Sequence, residues 1–167
     1  MKILMVCLGN ICRSPLAEGI LNHKVIQAGL QWKIDSAGTS NYHIGEPPHI
    51  LSQKVALENR IDIGKQKGRQ LTAKDFIEFD KIYVMDSNNY NDAKKIAGKL
   101  WNENKIDLIL NTIYPNQNKA VPDPWGEKET AYHEVFHLLD SACKAIIEQY
   151  ATHEWQQKSK QNGNINI

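Results

Sequence analysis

Two hydrophobic periods alternate along the chain. "KILMV" (Lys2–Val6) is a short, nearly continuous apolar run closed by Gly9, the pattern of a strand buried on both faces. From Ser14 the period lengthens. Ala17, Ile20, Leu21, Val25 and Ala28 then share one helical face, with Gly29 as the stop. Ser14 suits an N-cap and Pro15 the first helical position. "WKIDSAG" (Trp32–Gly38) predicts a second strand, and Gly45–Arg60 opens with prolines and runs on as a helix. "TAKD" (Thr72–Asp75) has the form of a capping box before a short helix. "KIYVMD" (Lys81–Asp86) predicts a third strand, Ser87 caps a helix reaching Trp101, and "KIDLIL" (Lys105–Leu110) predicts a fourth strand. The last helix, Glu129–Tyr150, carries Tyr132, Val135, Phe136, Leu139, Cys143, Ile146 and Tyr150 on one face.

Strands alternating with helices imply an α/β, three-layer fold in which a parallel sheet is covered on both faces. At 167 residues the chain has the length of one domain. Residues 1–152 form that domain, and the polar segment 153–167 reads as a mobile tail. The segment Asn111–Glu127, "NTIYPNQNKAVPDPWGE", is too long and polar for a simple connector and is a functional candidate.

Charge adds only an exclusion. Twenty basic and 19 acidic residues leave a formal net charge of +1, spread along the chain, so neither a nucleic acid nor a membrane surface is an expected partner. The cysteine count is 3, an odd number, and no secretory pattern precedes Cys7, so a cytoplasmic protein with reduced thiols is expected.

Ligands of open parallel sheets bind at the carboxyl ends of the strands. The loop Cys7, Leu8, Gly9, Asn10, Ile11, Cys12, leading into Arg13 and Ser14, lies there. Backbone N–H groups beside a helix N-terminus make an anion nest, which predicts a phosphate-like ligand. Neither a Walker A sequence nor G-x-G-x-x-G is present. In their place stand Cys7 and Arg13. Arginine can hold two phosphate oxygens bidentately, and a thiol among N–H donors beside a guanidinium is expected to be a thiolate and a nucleophile at phosphorus. The bland alternative, a buried strand-end cysteine with an unrelated arginine, stays open on spacing alone.

Further along, "VCLGNICRSP", "AE", "DSAGTSNYHIGEPP", "RQL", "MD" and "DPW" occur in this order between Met1 and Tyr150. Together they resemble the low-molecular-weight protein tyrosine phosphatases. The resemblance implies a four-stranded parallel sheet and hydrolysis of phosphotyrosine through a phosphocysteine intermediate, with no metal and no cofactor. It makes Cys7 the nucleophile, Arg13 the phosphate clamp and Asp123 the general acid and base. Leu8, Gly9, Asn10, Ile11, Cys12 and Ser14 become the phosphate-binding loop, with Asn10 held by Ser36, and Tyr42 and Trp125 the aromatic walls of the substrate cleft. It also favours Cys12 as the redox partner of Cys7. Implied partners are a tyrosine-phosphorylated protein, a cognate tyrosine kinase as for some bacterial relatives, and inhibitory phosphate-like oxyanions.

A phenol of pKa about 10 leaves poorly as phenolate, which is why a carboxylic acid is needed. Asp before Pro, as in Asp123-Pro124, is otherwise an ordinary turn residue. Asp86 is the rival acid, although capping the helix that follows is the stronger reading of it.

Other chemistries fit the sequence less well. Arsenate reductases of this fold use a cysteine pair in mid-chain, and no cysteine lies between Cys12 and Cys143. Arginine phosphatases of this fold place a threonine where Ile11 stands, and an apolar residue suits a phenyl ring better than a guanidinium. A non-catalytic phosphotyrosine-binding module would not need Cys7, Arg13 and Asp123 together. "HEVFH" (His133–His137) matches the zinc-protease motif H-E-x-x-H, but both histidines share a polar stripe with Asp140, Lys144 and Glu148, and the third histidine of the extended motif is missing, leaving only His153 or Glu154. The histidine that many relatives carry just before the matching "RQL" is absent as well, and "DPWGE" has Trp125-Gly126 in place of a tyrosine pair.

Overall fold

A computed structural model describes the backbone of residues 1–162 and the side chains of residues 1–151. Its elements are β1 (Lys2–Cys7), α1 (Arg13–Gln27), β2 (Lys33–Gly38), α2 (Ile50–Glu58), α3 (Asp75–Glu78), β3 (Lys81–Val84), α4 (Ser87–Ala97), β4 (Ile106–Leu108) and α5 (Glu129–Asn162). The strands form one parallel sheet in the order β2-β1-β3-β4.

Strand alternation divides the core into two layers. Ile3, Met5 and Cys7 face the side covered by α1, α2 and α5, while Leu4 and Val6 face the side covered by α3 and α4. Both faces are therefore helix-covered, the three-layer arrangement that the pattern predicts. Among the described residues no helix is long and apolar enough to cross a membrane.

Several element ends differ from expectation for local reasons. Helix α1 begins at Arg13 with Cys12 as N-cap, so Ser14 is inside the first turn rather than capping it. Its hydroxyl has other partners, Cys7 Sγ and Asn10 Nδ2. At the far end Gly29 adopts φ 64°, and the Leu30 and Gly29 N–H groups donate to Val25 O and Ile26 O, a Schellman closure. Helix α4 is capped by Asp86, whose Oδ1 accepts from Asn89 N–H, and not by Ser87. It gives way to a tight 3-10 turn at Gly98–Leu100 before Trp101 is reached. Strand β4 ends at Leu108, where a second 3-10 turn takes over. Helix α5 runs on to Asn162, past Tyr150, so residues 153–162 of the expected tail are helical. Residues 163–167, and the side chains of His153 and Glu154, lie outside the described part.

Candidate active site

Strand β1 ends at Cys7, and the chain turns through Leu8–Cys12 before α1 starts. The turn is tight because Asn10 takes φ 57°, a left-handed conformation that asparagine tolerates better than most residues. It is pinned from several sides. Asn10 Nδ2 donates to Ser14 Oγ at 2.8 Å and to Ser36 Oγ at 2.9 Å, and Asn10 Oδ1 accepts from the Arg69 N–H at 3.0 Å. Ser36 thus stands against Asn10. Behind it, Ser36 Oγ donates to Glu18 Oε2 at 2.6 Å. Burial pushes the Glu18 carboxyl up to about 7, against the donation from Ser36, which acts to lower it.

The backbone of β2 also approaches the turn. Ser40 N–H and Thr39 N–H donate to Leu8 O and Cys7 O, and a Cβ at Gly38 would lie only 2.7 Å from Leu8 O and 3.1 Å from Asn10 N. Glycine at 38 therefore lets the strand pass against the loop. At Gly68, where a side chain just before Arg69 would sit, the carbonyl of His43 leaves no room for a Cβ.

Two polar groups contact the Cys7 sulfur. The Asn10 N–H points at Sγ from 3.2 Å, and Ser14 Oγ lies 3.0 Å away. Cys7 is 3% exposed and faces a cavity of about 200 Å³. Leu8, Gly9, Ile11, Cys12 and Arg13 share that cavity's wall with Tyr42, His43, Asp123 and Trp125. Tyr42 and Trp125 stand 71% and 64% exposed, two aromatic faces at the mouth with no ring of the described residues stacked over them.

Arg13 is buried and held by two carboxylates. Its Nη1 donates to Asp86 Oδ2 at 2.7 Å and to Val121 O at 3.2 Å, and its Nη2 donates to Asp123 Oδ2 at 2.9 Å. Asp123 reaches the site because Val121 N–H donates to Met85 O, just past the end of β3, so the long loop hangs from the sheet edge before turning over the cavity. The Trp125 N–H donates to Asp123 Oδ1 at 3.2 Å and completes an Asx turn. The two acids differ in surroundings: the side chain of Asp123 is 48% exposed and that of Asp86 is 21% exposed and occupied by the α4 cap.

Cys12 lies on the inner side of the loop, 3.9 Å from Tyr132 Oη, and burial pushes its thiol up to about 12. All three cysteines are free. Two participants escape a reading of the sequence. Glu18 is one, although its position one turn after Ser14 on an otherwise apolar helix face is a signal. His43 is the other; its ring edge packs against Gly9 and its Nδ1 is paired with Glu46 at 2.8 Å. A sulfur that accepts from the loop backbone, a guanidinium lining the same cavity and a half-exposed carboxyl at its rim suit attack on an anionic centre followed by proton transfer.

A model of one protein family, described as low molecular weight phosphotyrosine protein phosphatase, matches residues 2–158. A Synechocystis sp. protein assigned as a low molecular weight protein-tyrosine-phosphatase is 42% identical over 151 residues, which span 88% of this chain and 94% of that protein. The crystal structure of YfkJ from Bacillus subtilis superposes with a TM-score of 0.84 at 33% identity, covering 92% of this chain and 96% of the other. That of a Drosophila arginine phosphatase superposes with a TM-score of 0.83 at 30% identity, covering 90% and 98%.

Proposed function

The chain belongs to the low molecular weight phosphotyrosine protein phosphatase family and is an enzyme, and from that premise we propose that it hydrolyses phosphotyrosine in proteins through a phosphocysteine intermediate. The phosphoryl group enters the loop Cys7–Arg13, and the phenyl ring lies between Tyr42 and Trp125 over Ile11. Cys7 Sγ attacks phosphorus; an S–P bond forms as the P–O bond to the phenol breaks. Asp123, in its carboxylic acid form, gives its proton to the departing oxygen. The resulting carboxylate then takes a proton from water, whose oxygen attacks phosphorus. The S–P bond breaks, and inorganic phosphate leaves.

Arg13 holds the equatorial oxygens while charge redistributes. Its Nη2 is paired with Asp123. An incoming phosphate dianion exchanges places with that carboxylate, which frees Asp123 to carry a proton at the leaving group. One observation carries this reading: Cys7, the Arg13 guanidinium and the Asp123 carboxyl all line a single cavity flanked by two exposed aromatic rings. Under peroxide the Cys7 sulfur, oxidised to a sulfenic acid, condenses with the Cys12 thiol to a disulfide with loss of water, which protects Cys7 from further oxidation.

The similarity to an arginine phosphatase favours phosphoarginine as a second substrate class. Ile11 argues against it, because an apolar contact leaves a guanidinium without a partner. Steady-state hydrolysis of phosphotyrosine and phosphoarginine peptides, with chelator present and Cys7→Ser as control, separates the readings. Turnover of phosphotyrosine that disappears in Cys7→Ser is the expected result. Preference for phosphoarginine would overturn the substrate class and keep the nucleophile, whereas tight binding of both without turnover would leave a binding module.

A further inference from the structure

The motif His133–His137 has no part in the phosphatase reading, and the structure gives His133 other company than His137. His133 Nε2 lies 3.5 Å from Glu58 Oε2 and 3.6 Å from Glu129 Oε1. All three donor atoms fall within 4.8 Å of one another. Glu129 and His133 are successive turns of α5, and Glu58 is the last residue of α2.

These separations have a chemical meaning. A tetrahedral divalent ion with ligands at about 2.0–2.1 Å keeps its ligand atoms about 3.4 Å apart. Both nitrogen–oxygen separations here are within a few tenths of an ångström of that edge. We propose that Glu58, Glu129 and His133 form a binding site for a divalent transition-metal ion of the zinc or cobalt type, with water as the fourth ligand. Two carboxylates and a neutral imidazole supply a charge of −2, reduced to −1 with the Lys54 ammonium that pairs with Glu129, and mixed nitrogen–oxygen ligands suit such ions. Lys54 Nζ is 2.7 Å from Glu129, but on Oε2, so Oε1 remains turned toward His133. The side chains of Glu58, Glu129 and His133 are 44%, 39% and 37% exposed, open enough for an ion to enter and for water to complete the shell.

The consequence is a staple between two helices. Near its other end α2 supports the Cys7–Arg13 loop: His49 N–H donates to Ile11 O, Ser52 Oγ donates to Cys12 O, and the His49 ring stacks on Tyr132 of α5 at 5.2 Å. An ion joining Glu58 to α5 therefore closes the far end of a contact whose near end already backs the loop.

Titration of the tag-free, chelator-stripped full chain with Co²⁺ tests the proposal without reference to turnover. Visible d–d bands without thiolate-to-cobalt charge transfer are expected, displaced by Zn²⁺. Loss of a ligand should cost at least the roughly tenfold in affinity that loss of an outer-shell partner does. Glu58→Gln and His133→Ala should each show that loss, with folding verified by circular dichroism, and His137→Ala should bind as the parent does. Absence of binding at millimolar Co²⁺, sulfur charge-transfer bands, affinity unchanged in His133→Ala, or equal weakening in His137→Ala would each overturn it.

Discussion

Glu18 is a carboxyl whose surroundings oppose its charge. A carboxyl packed in α1 against the sheet, donated to by Ser36, is pushed by burial from an ordinary 4.5 up to about 7. Below the lower value folded and unfolded chains both hold the proton. Between the two the unfolded chain ionises and the folded one does not, so stability falls as pH rises through this window and levels off above it. Each pH step of one across the window removes about 1.4 kcal/mol, and the whole decline amounts to about 3 kcal/mol. Glutamine keeps an acceptor for Ser36 without the proton. Glu18→Gln is therefore expected to lose this slope and to exceed the parent in stability at pH 8, as read from urea denaturation midpoints at pH 5 and pH 8. Parallel profiles for the two proteins would refute the assignment. Burial acts on Cys12 in the same direction, pushing its thiol up to about 12, so it stays protonated at neutral pH. The state of Cys12 comes from burial in the folded core, which spacing along the chain does not carry.

The first turn of α4 joins secondary structure to the site. Asp86 caps the helix through Oδ1 and pairs with Arg13 through Oδ2. Asn caps a helix about as well as Asp, while Ala does not. Asp86→Asn and Asp86→Ala should both lower kcat/KM by releasing Arg13, but only Asp86→Ala should lose the further ~1 kcal/mol that a cap contributes. Equal stability of the two variants in thermal or urea unfolding would show that the cap is not what Asp86 supplies. The pattern of apolar residues made the four strands and the long helices legible, since burial on two faces writes itself as period and run length. Ends were less legible. Ser14 looks like a cap in isolation, but Cys7 and Asn10 claim its hydroxyl, and α5 outlasts its apolar stripe because its later residues, rich in Gln and Lys, are good helix formers. The loop supports were hidden for another reason: Arg69 reaches Asn10 across 59 positions and Asp123 reaches Arg13 across 110, distances over which no local pattern speaks.

The strand order β2-β1-β3-β4 sets β1 between β2 and β3, so that the Cys7 loop meets Gly38 on one side and the Met85-anchored loop carrying Asp123 on the other. The Arg13 guanidinium is consequently held against the carboxylates of Asp86 and Asp123. On the proposed mechanism an oxyanion that fits the loop displaces Asp123 from Arg13, and its binding free energy would add to the stability of the whole fold. Inorganic phosphate or vanadate at about 100 times its dissociation constant should add about 2.7 kcal/mol. For a chain of this length, at roughly 2–4 °C per kcal/mol, the unfolding temperature should rise by about 5–10 °C. Arg13→Ala removes the clamp and should abolish most of that rise. Asp123→Ala removes the competitor and should enlarge it at the same oxyanion concentration, even though it slows turnover. Differential scanning calorimetry on the three proteins with and without oxyanion reads all of this directly, and a smaller rise in Asp123→Ala than in the parent would mean that the carboxylate assists the anion instead of competing with it.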